Sequence, residues 1–338
     1  MKRFTKVSIV IPCRNEEKYI GKCLDSILNS DYDKSLLEVF VCDGMSEDKT
    51  ESTILLYSQY SFIKLLKNKH KTTPYALNLG INNSSGDVIM ILGAHAELSS
   101  DYISQCIATF HLDEKIGCVG GLLQTISEDE QTKSIAKAMS SSFGVGNAYF
   151  RTGAKEGYVD TVAFGAYKKE VFNTAGLFDE SLTRNQDDEF NYRITKAGYK
   201  IYLNPSIKAT YYSRSSLSKL FGQYFQYGYW KVFVNKKHHA ITTFRQMIPA
   251  IFVIFFLTGS ILAFISIFFL FAFLSIFFLY LLLACIAAAK AKNIKDFFMM
   301  LFAIFILHFS YGIGYIEGIC NFIILRKKPA AQRTTLTR

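Results

Sequence analysis

The chain has 338 residues, half of them apolar, with 30 Phe and a formal net charge of +10. That length allows one large domain plus additional elements. The positive excess sits beside long apolar segments, which favours lipid or phosphate-bearing partners, and the sequence lacks the interleaved aromatic and basic pattern of an RNA binder, which argues against nucleic acid. Seven cysteines stand at 13, 23, 42, 106, 118, 285 and 320. The number is odd and no CxxC pair occurs, as expected for reduced, buried thiols in a cytosolic compartment. The apolar run Val7–Ile11 is too short for the core of a signal peptide, and charges follow at once. The N-terminal region is expected to stay on the side of the membrane where it is made.

Residues 1 to about 112 alternate between strand and helix patterns. Val7–Ile11 is a β-branched run of the kind that forms a buried parallel strand. A polar turn, Pro12–Glu17, follows, and Tyr19, Ile20, Cys23, Leu24, Ile27 and Leu28 then recur at helical spacing. Glu38–Cys42 predicts a second strand ending at Asp43-Gly44, Thr50–Tyr60 a helix, and Phe62–Leu66 a third strand. Pro74–Ile81 predicts a helix, and Gly86-Asp87 turns into the strand Val88–Leu92. This βαβ repetition predicts a mainly parallel α/β sheet with helices on both faces. Further on, the pattern predicts a strand within Gly117–Gly121, a helix over Lys168–Ala175, a helix over Asp188–Ala197, and a last strand Tyr199–Leu203 ended by Pro205.

Residues 213–245 are aromatic and basic at once, with Phe221, Tyr224, Phe225, Tyr227, Tyr229 and Trp230 among several lysines. Such a segment suits an amphipathic helix lying at lipid headgroups, or an ordinary packed helix. No charge occurs between Arg245 and Lys290, about twice the length one helix needs to cross ~30 Å of hydrocarbon. A hairpin of two spans is predicted there. A third apolar segment, Phe297–Leu325, contains Glu317 and precedes the basic Arg326–Lys328. Basic flanks on every segment favour the cytoplasm. Two spans satisfy that rule for the first stretch, and a third true span would place the basic tail outside. The third segment therefore reads as re-entrant, interfacial or spanning. The predicted organisation is a catalytic domain at 1–212, an interfacial segment at 213–245, a membrane anchor at 246–325 and a basic tail at 326–338.

Ligands of open α/β sheets bind beyond the carboxyl ends of the strands. Pro12, Arg14, Asn15 and Glu16 stand at the end of the first predicted strand; Asp43, Ser46 and Asp48 stand at the end of the second. Carboxylates there can accept hydrogen bonds from a nucleobase N–H or ribose hydroxyls; equally, Asp43 and Ser46 can shape the turn and cap the next helix. The strand–turn–helix lacks GxGxxG, which argues against a dinucleotide fold.

The segment Val7-Ser8-Ile9-Val10-Ile11-Pro12-Cys13-Arg14-Asn15-Glu16-Glu17 resembles the opening of the family 2 glycosyltransferases, and Asp43-Gly44-x-Ser46-x-Asp48-x-Thr50 resembles their second donor motif. The likeness continues through Asn78-x-Gly80, Gly86-Asp87, Gly165 and the helix start Gln186–Arg193, and is closest to membrane-anchored exopolysaccharide transferases of the succinoglycan-biosynthesis type. The resemblance implies a GT-A fold, a nucleotide-sugar donor with uridine the expected nucleotide, a divalent metal (Mn2+ or Mg2+) and inversion at the anomeric carbon. Where that family carries Asp-x-Asp, this chain has Gly93-Ala94-His95-Ala96-Glu97. His95 and Glu97 are then the candidate metal ligands; imidazole suits Mn2+ less well than carboxylate but can bind it. Asp187 aligns with the family's catalytic base, with Asp188 beside it; acidic residues in a first helical turn also favour the helix dipole in any protein. Gln226-Tyr227-Gly228-Tyr229-Trp230 resembles the Gln-x-x-Arg-Trp element of processive synthases, with Tyr229 in place of Arg. Gly165, Gln226 and Trp230 are the acceptor-binding candidates; Trp230 equally suits an anchor at the membrane interface.

The expected function is an inverting transferase that moves a sugar from a nucleotide-sugar to a membrane-associated, lipid-linked saccharide acceptor in polysaccharide biosynthesis. The expected location is the cell membrane, multi-pass, with the catalytic domain cytoplasmic and other polysaccharide-assembly proteins as candidate partners. The rival expectations are a processive synthase and an inactive membrane scaffold of the same fold.

Overall fold

A computed structural model describes residues 5–127, 132–213 and 216–329. Residues 330–338 of the basic tail lie outside the described residues. In chain order the elements begin β1 (Val7–Cys13), α1 (Ile20–Leu28), β2 (Leu37–Asp43), α2 (Thr50–Leu55), β3 (Ile63–Lys67), α3 (Thr73–Asn83), β4 (Val88–Ile91) and β5 (Ala96–Leu98). They continue with α4 (Tyr102–Thr109), β6 (Ile116–Ile126), α5 (Lys133–Met139), α6 (Ser142–Val145), α7 (Tyr149–Thr152), β7 (Gly157–Val159), β8 (Ala166–Lys168), α8 (Lys169–Ala175), α9 (Gln186–Lys196) and β9 (Lys200–Tyr212). The last helices are α10 (Leu217–His238), α11 (Ile248–Leu262), α12 (Ile267–Ala288) and α13 (Ile294–Gly318), the last followed by a π-helical turn, Ile319–Ile324. The chain divides into two compact units, Met1–Gln124 with Tyr149–Tyr212 and Thr125–Ala148 with Ser213–Arg338.

In the first unit one mixed sheet has the strand order β3-β2-β1-β4-β8-β6-β9-β5, with β7 paired to β9. β1 is central among its parallel neighbours: Val10 sits opposite Phe40 of β2 and Ile91 of β4. The chain winds outward from β1 to β3 on one side and resumes at β4 on the other. The carboxyl ends of β1 and β4 therefore border the switch point, where open α/β sheets bind ligands. Beyond β4 the pairings of β4 with β8 and of β8 with β6 are antiparallel.

The central strands are buried on both faces, which is why they read as continuous β-branched runs. The core joins Val10, Phe40 and Ile89 of the sheet to Phe172, Phe178 and Phe190 of the flanking helices and loop. Phe190 is fully buried, stacked on Phe172 at 5.1 Å and packed 4.5 Å from Phe178. These rings fix α9 to the sheet. At the amino ends of the strands the buried Glu38 accepts hydrogen bonds from Ser8 Oγ, the Ser85 amide and the Gly86 amide, and pairs with Lys6 Nζ at 3.1 Å. Burial works against its charge, but the bonds from Ser8, Ser85 and Lys6 prevail and hold its carboxyl down to about 2. A Cβ at Gly86 would lie 2.6 Å from Ser8 Oγ, so the turn admits only glycine.

Two sequence expectations change here. β9 does not end at Pro205 but runs to Tyr212. Pro205 falls between the stretch paired to β7 (Ile201–Leu203) and the stretch paired to β5 (Ala209–Tyr211), where a missing N–H breaks neither pairing. The helix expected over Thr50–Tyr60 stops at Leu55, and successive turns carry the chain to Tyr60.

In the second unit α10 runs beside α13 in the same direction. A Cβ at Gly228 would lie 2.0 Å from the Tyr311 carbonyl, one at Gly314 2.0 Å from the Phe225 carbonyl, and one at Gly318 2.8 Å from the Tyr229 carbonyl. Glycines let the two backbones touch. Asn235 ties the end of α10, taking hydrogen bonds from the Thr242 amide (3.1 Å) and hydroxyl (2.9 Å). Among the described residues three helices, Phe244–Leu262, Ile267–Ala288 and Ile294–Ile324, are long and apolar enough to cross a membrane.

Candidate active site

The loops after β1 and β2 are stitched together by side chains. The Asn15 amide donates to Ser46 Oγ at 2.9 Å, and the Glu47 amide donates back to Asn15 Oδ1 at 2.8 Å. The Glu16 amide donates to Thr50 Oγ1 at 2.7 Å, and the Lys49 amide to Glu17 at 3.0 Å. Asn15 and Met45 both adopt left-handed backbone, with φ of 53° and 59°. Asp43 is fully buried; Ser46 donates to it through its amide (3.2 Å) and hydroxyl (2.5 Å), and Lys67 Nζ pairs with it at 3.2 Å. Asp48 accepts from the Thr50 amide at 2.9 Å and the Glu17 amide at 3.3 Å. Burial is the largest single influence and pushes its carboxyl up, but the Thr50 and Glu17 bonds together outweigh it and hold the carboxyl below the usual range. Both carboxylates thus build the loops, and a carboxylate still has lone pairs for a ligand. Arg14 reaches Glu47 at 3.5 Å, while its Nε is enclosed without a hydrogen-bond partner among the described residues. Gly44 sits against it: an added Cβ would lie 3.3 Å from Arg14 Cβ and 3.1 Å from the Lys71 carbonyl.

The turn after β4 meets the first loop. His95 Nδ1 lies 3.2 Å from Oε1 of the buried Glu16, and its ring packs edge-on to Tyr211 at 5.0 Å. Glu97, on β5, accepts a hydrogen bond from Tyr212 Oη. Burial, and then the neighbouring Glu97, push the Tyr212 phenol up, so it stays a neutral donor. Each candidate metal ligand is thus oriented by a partner, the arrangement that holds metal ligands in place. Among the described residues no three His, Cys, Asp or Glu side chains converge on an ion by themselves. One imidazole and one carboxylate are a donor set that could hold a divalent ion such as Mn2+ if other oxygens supplied the rest of its shell. Gly93 has a packing reason: a Cβ there would lie 2.9 Å from the Phe164 ring.

Asp187 and Asp188 occupy the first turn of α9, with Asp187 exposed and accepting from the Asp188 amide at 2.9 Å. Asn185, with φ 61°, aims the chain into the helix. The segment before it is clamped from two sides. Asn78, on α3, donates to the Phe178 carbonyl and to Glu180, and accepts from the Phe178 amide, each at 2.9 Å. Arg193 grips Glu189 through two bonds of 2.8 Å and donates to the Ala175 and Leu177 carbonyls. The sequence alone assigns neither clamp a role, although Asn78 lies in the Asn78-x-Gly80 motif. Its partners lie a hundred residues away. Gly165 sits where β4 meets β8; its carbonyl accepts from the Ile91 amide at 2.9 Å, and a Cβ would lie 2.8 Å from Cys118 Sγ. Gln226 and Trp230 belong to the second unit, on α10. Trp230 is fully buried between Tyr229 and Phe233, at 6.1 and 5.6 Å. The sheet cysteines are buried, and burial pushes the Cys42 thiol up to about 12, so it is unreactive.

The sheet order, with loops gathered at the β1/β4 switch point, is that of the GT-A sugar-transferring enzymes. A mannosyltransferase from Pyrobaculum calidifontis, solved with GDP-mannose and Mn2+, superposes with a TM-score of 0.51 at 18% identity, over 66% of this chain and 62% of that one. TarS of S. aureus, solved with UDP-GlcNAc, superposes with a TM-score of 0.51 at 16% identity, over 66% of this chain and 65% of that one. The chain thus spans somewhat less than two thirds of these structures. The profile described as Glycosyl transferase family 2 matches residues 8–176. The chain belongs to that family and is a glycosyltransferase. It is 39% identical over 231 residues, 66% of this chain and 71% of the relative, to a dolichyl N-acetylglucosaminyl phosphate diacetamido-dideoxy-glucuronosyltransferase of Methanococcus voltae. It is 30% identical to the succinoglycan biosynthesis protein ExoA of Rhizobium meliloti, over 72% of this chain and 74% of ExoA.

Proposed function

We propose that this glycosyltransferase is an inverting enzyme using a nucleoside-diphosphate sugar, with UDP the expected carrier, and a lipid-linked saccharide acceptor. The observation that carries the reading is the meeting of Glu16 and His95, which brings the loops after β1 and β4 together at the switch point of the sheet. The donor nucleotide lies against the stitched loops Arg14–Glu16 and Asp43–Asp48, and the enclosed Arg14 Nε supplies a donor for an anionic or carbonyl group. A divalent ion would be held by His95 and Glu97 and would neutralise charge on the diphosphate. Asp187 accepts the proton of the acceptor hydroxyl. That oxygen bonds to the anomeric carbon as the bond to the diphosphate oxygen breaks, and attack from the opposite face inverts the centre. Asp188 shares the helix start, where the positive end of the helix dipole favours both carboxylates. Gly165 is proposed for the acceptor side; Trp230, expected from sequence to stack on the acceptor sugar, is fully buried in the packing of α10 and offers it no face. The acceptor class follows from the M. voltae relative, whose name specifies a dolichyl phosphate-linked sugar. The three apolar helices keep such an acceptor within reach of its membrane. The enzyme is proposed to be multi-pass, with its catalytic unit cytoplasmic. UDP release by the full chain in detergent with Mn2+, across a panel of nucleotide sugars and polyprenyl-linked saccharides, tests the reading. Nuclear magnetic resonance of the product reads the anomeric configuration; a retained configuration, or no turnover with any donor, overturns it.

A further inference from the structure

We infer that α13 lies along the membrane surface and does not cross it, so that α11 and α12 alone cross and the basic stretch Arg326–Lys328 stays on the side of the catalytic unit. The inference rests on reading α11 and α12 as spans. Two crossings return the chain to its starting side, so the start of α11, the end of α12 and the start of α13 all share one membrane face. Ile294 follows Ala288 by only six residues. If α13 then crossed upright, Gly312 would lie about 27 Å below that face, at ~1.5 Å per residue, close to the far side of ~30 Å of hydrocarbon. Yet Gly312 packs against the first turn of α11: an added Cβ would lie 2.3 Å from the Pro249 carbonyl. Pro249 is four residues past Arg245, a charge that belongs at the headgroups. The middle of α13 is therefore at the same face as its beginning.

A second contact gives the same depth. His308 Nε2 lies 2.8 Å from the Phe143 carbonyl oxygen in α6, a helix of four residues with turns on both sides. Four residues on, the Asn147 carbonyl accepts a hydrogen bond from Arg245 Nη1 at 2.6 Å. Such irregular backbone is not tolerated in hydrocarbon, where every polar group must be satisfied within the protein. The burial agrees: the protein itself covers 44% of the third helix, against 11% and 6% of the other two. α10, which carries Lys231, Lys236 and Lys237, takes the place of lipid along the second half of α13. The uncovered face of α13 shows Ile294, Phe298 and Phe302, at helical spacing, to the acyl boundary. Lysines 290, 292 and 295 at one end and Arg326–Lys328 at the other are placed for anionic lipid headgroups. α13 through Ile324 is one continuous helix, so it cannot dip into the bilayer and return.

Cys320 is the exposed native cysteine of this region and reports its side directly. Sealed membrane vesicles of both orientations, carrying the full chain, are treated with a membrane-impermeant maleimide. Cleavage of the N-terminal unit by added protease identifies the vesicles that expose it. Labelling of Cys320 only in those vesicles, abolished in Cys320→Ser, is the expected result; labelling from the opposite face overturns the inference. Green fluorescent protein and, separately, alkaline phosphatase fused after Arg338 give an independent reading in a bacterial host. Fluorescence with a silent phosphatase is expected, and an active phosphatase overturns the inference. Phosphatase inserted between Phe264 and Ile265 should be active, and a silent insertion there removes the two-span premise. UDP release is unaffected by which of these results is obtained, so the proposed reaction stands or falls separately.

Discussion

Nδ1 of His95 lies 3.2 Å from Oε1 of Glu16, so a residue from the turn after β4 is oriented by one from the loop after β1. The pair lies where the family usually places a carboxylate-rich turn, and the imidazole gains a carboxylate partner instead. Removal of such partners typically weakens metal binding about 10–100-fold. His95→Ala should therefore raise the Mn2+ concentration for half-maximal UDP release by about tenfold or more, and Glu16→Gln should shift it in the same direction. His95→Asp should keep the titration close to wild type. An unmoved titration in His95→Ala would end the ligand assignment.

The exposed Asp187 at the start of α9 is assigned the proton-accepting role. Asp187→Asn keeps the shape and loses the base, so kcat should fall by about 10²–10⁴. Calorimetry should find UDP affinity unchanged. Asp188→Asn should lose far less. Turnover of Asp187→Asn within tenfold of wild type would remove Asp187 from the mechanism.

Asn78 makes three hydrogen bonds to the segment that leads into α9. Asn78→Ala strands the Phe178 amide and carbonyl in a buried place, at a cost of about 1–3 kcal/mol. Thermal unfolding of the full chain in detergent should show the loss. Because the segment carries Asp187, kcat should drop more than donor affinity does. A variant that unfolds like wild type would show that the clamp is dispensable.

Glu38 gives a pH prediction. Its carboxyl is held down to about 2 in the folded protein, below the ordinary carboxylate range. A group with a lowered folded-state pKa contributes stability above its unfolded pKa and loses it as pH falls. The apparent melting temperature should therefore decline as pH drops from about 4.5 towards 2, and Glu38→Gln should melt lower at neutral pH with a flatter acid limb. An acid limb of the same slope in the variant would assign the loss to other carboxylates.

The parallel half of the sheet was legible because β1, β2 and β4 are buried on both faces, and that burial forces continuous β-branched runs. The three-residue strands β5 and β7 carry no such signal. Pro205 looked like a strand end because its missing N–H is visible locally, while the gap between two partner strands is not. In the candidate site, residue types and spacing identified the loops after β1 and β2. The sequence could not show that Asp43 is bound by Lys67 and Ser46, or that Glu16 turns towards His95 across 79 residues. Gly93 read as a missing carboxylate, and the ring of Phe164 that needs its bare backbone lies far along the chain. The packing of residues 125–148 with the C-terminal helices is equally long-range.

That last feature bears on how separable the parts of this enzyme are. The chain passes between the two units three times, after Gln124, after Ala148 and after Tyr212. An anchor joined at one point could be exchanged or trimmed like a handle. Here a chain stopped at Tyr212 would keep α5 while losing α13, and Ile135, Ala138 and Met139 would be left facing water. Residues 125–148 and the C-terminal helices are one packed unit built from two separate stretches of chain, so a cut at Tyr212 divides that unit instead of removing it.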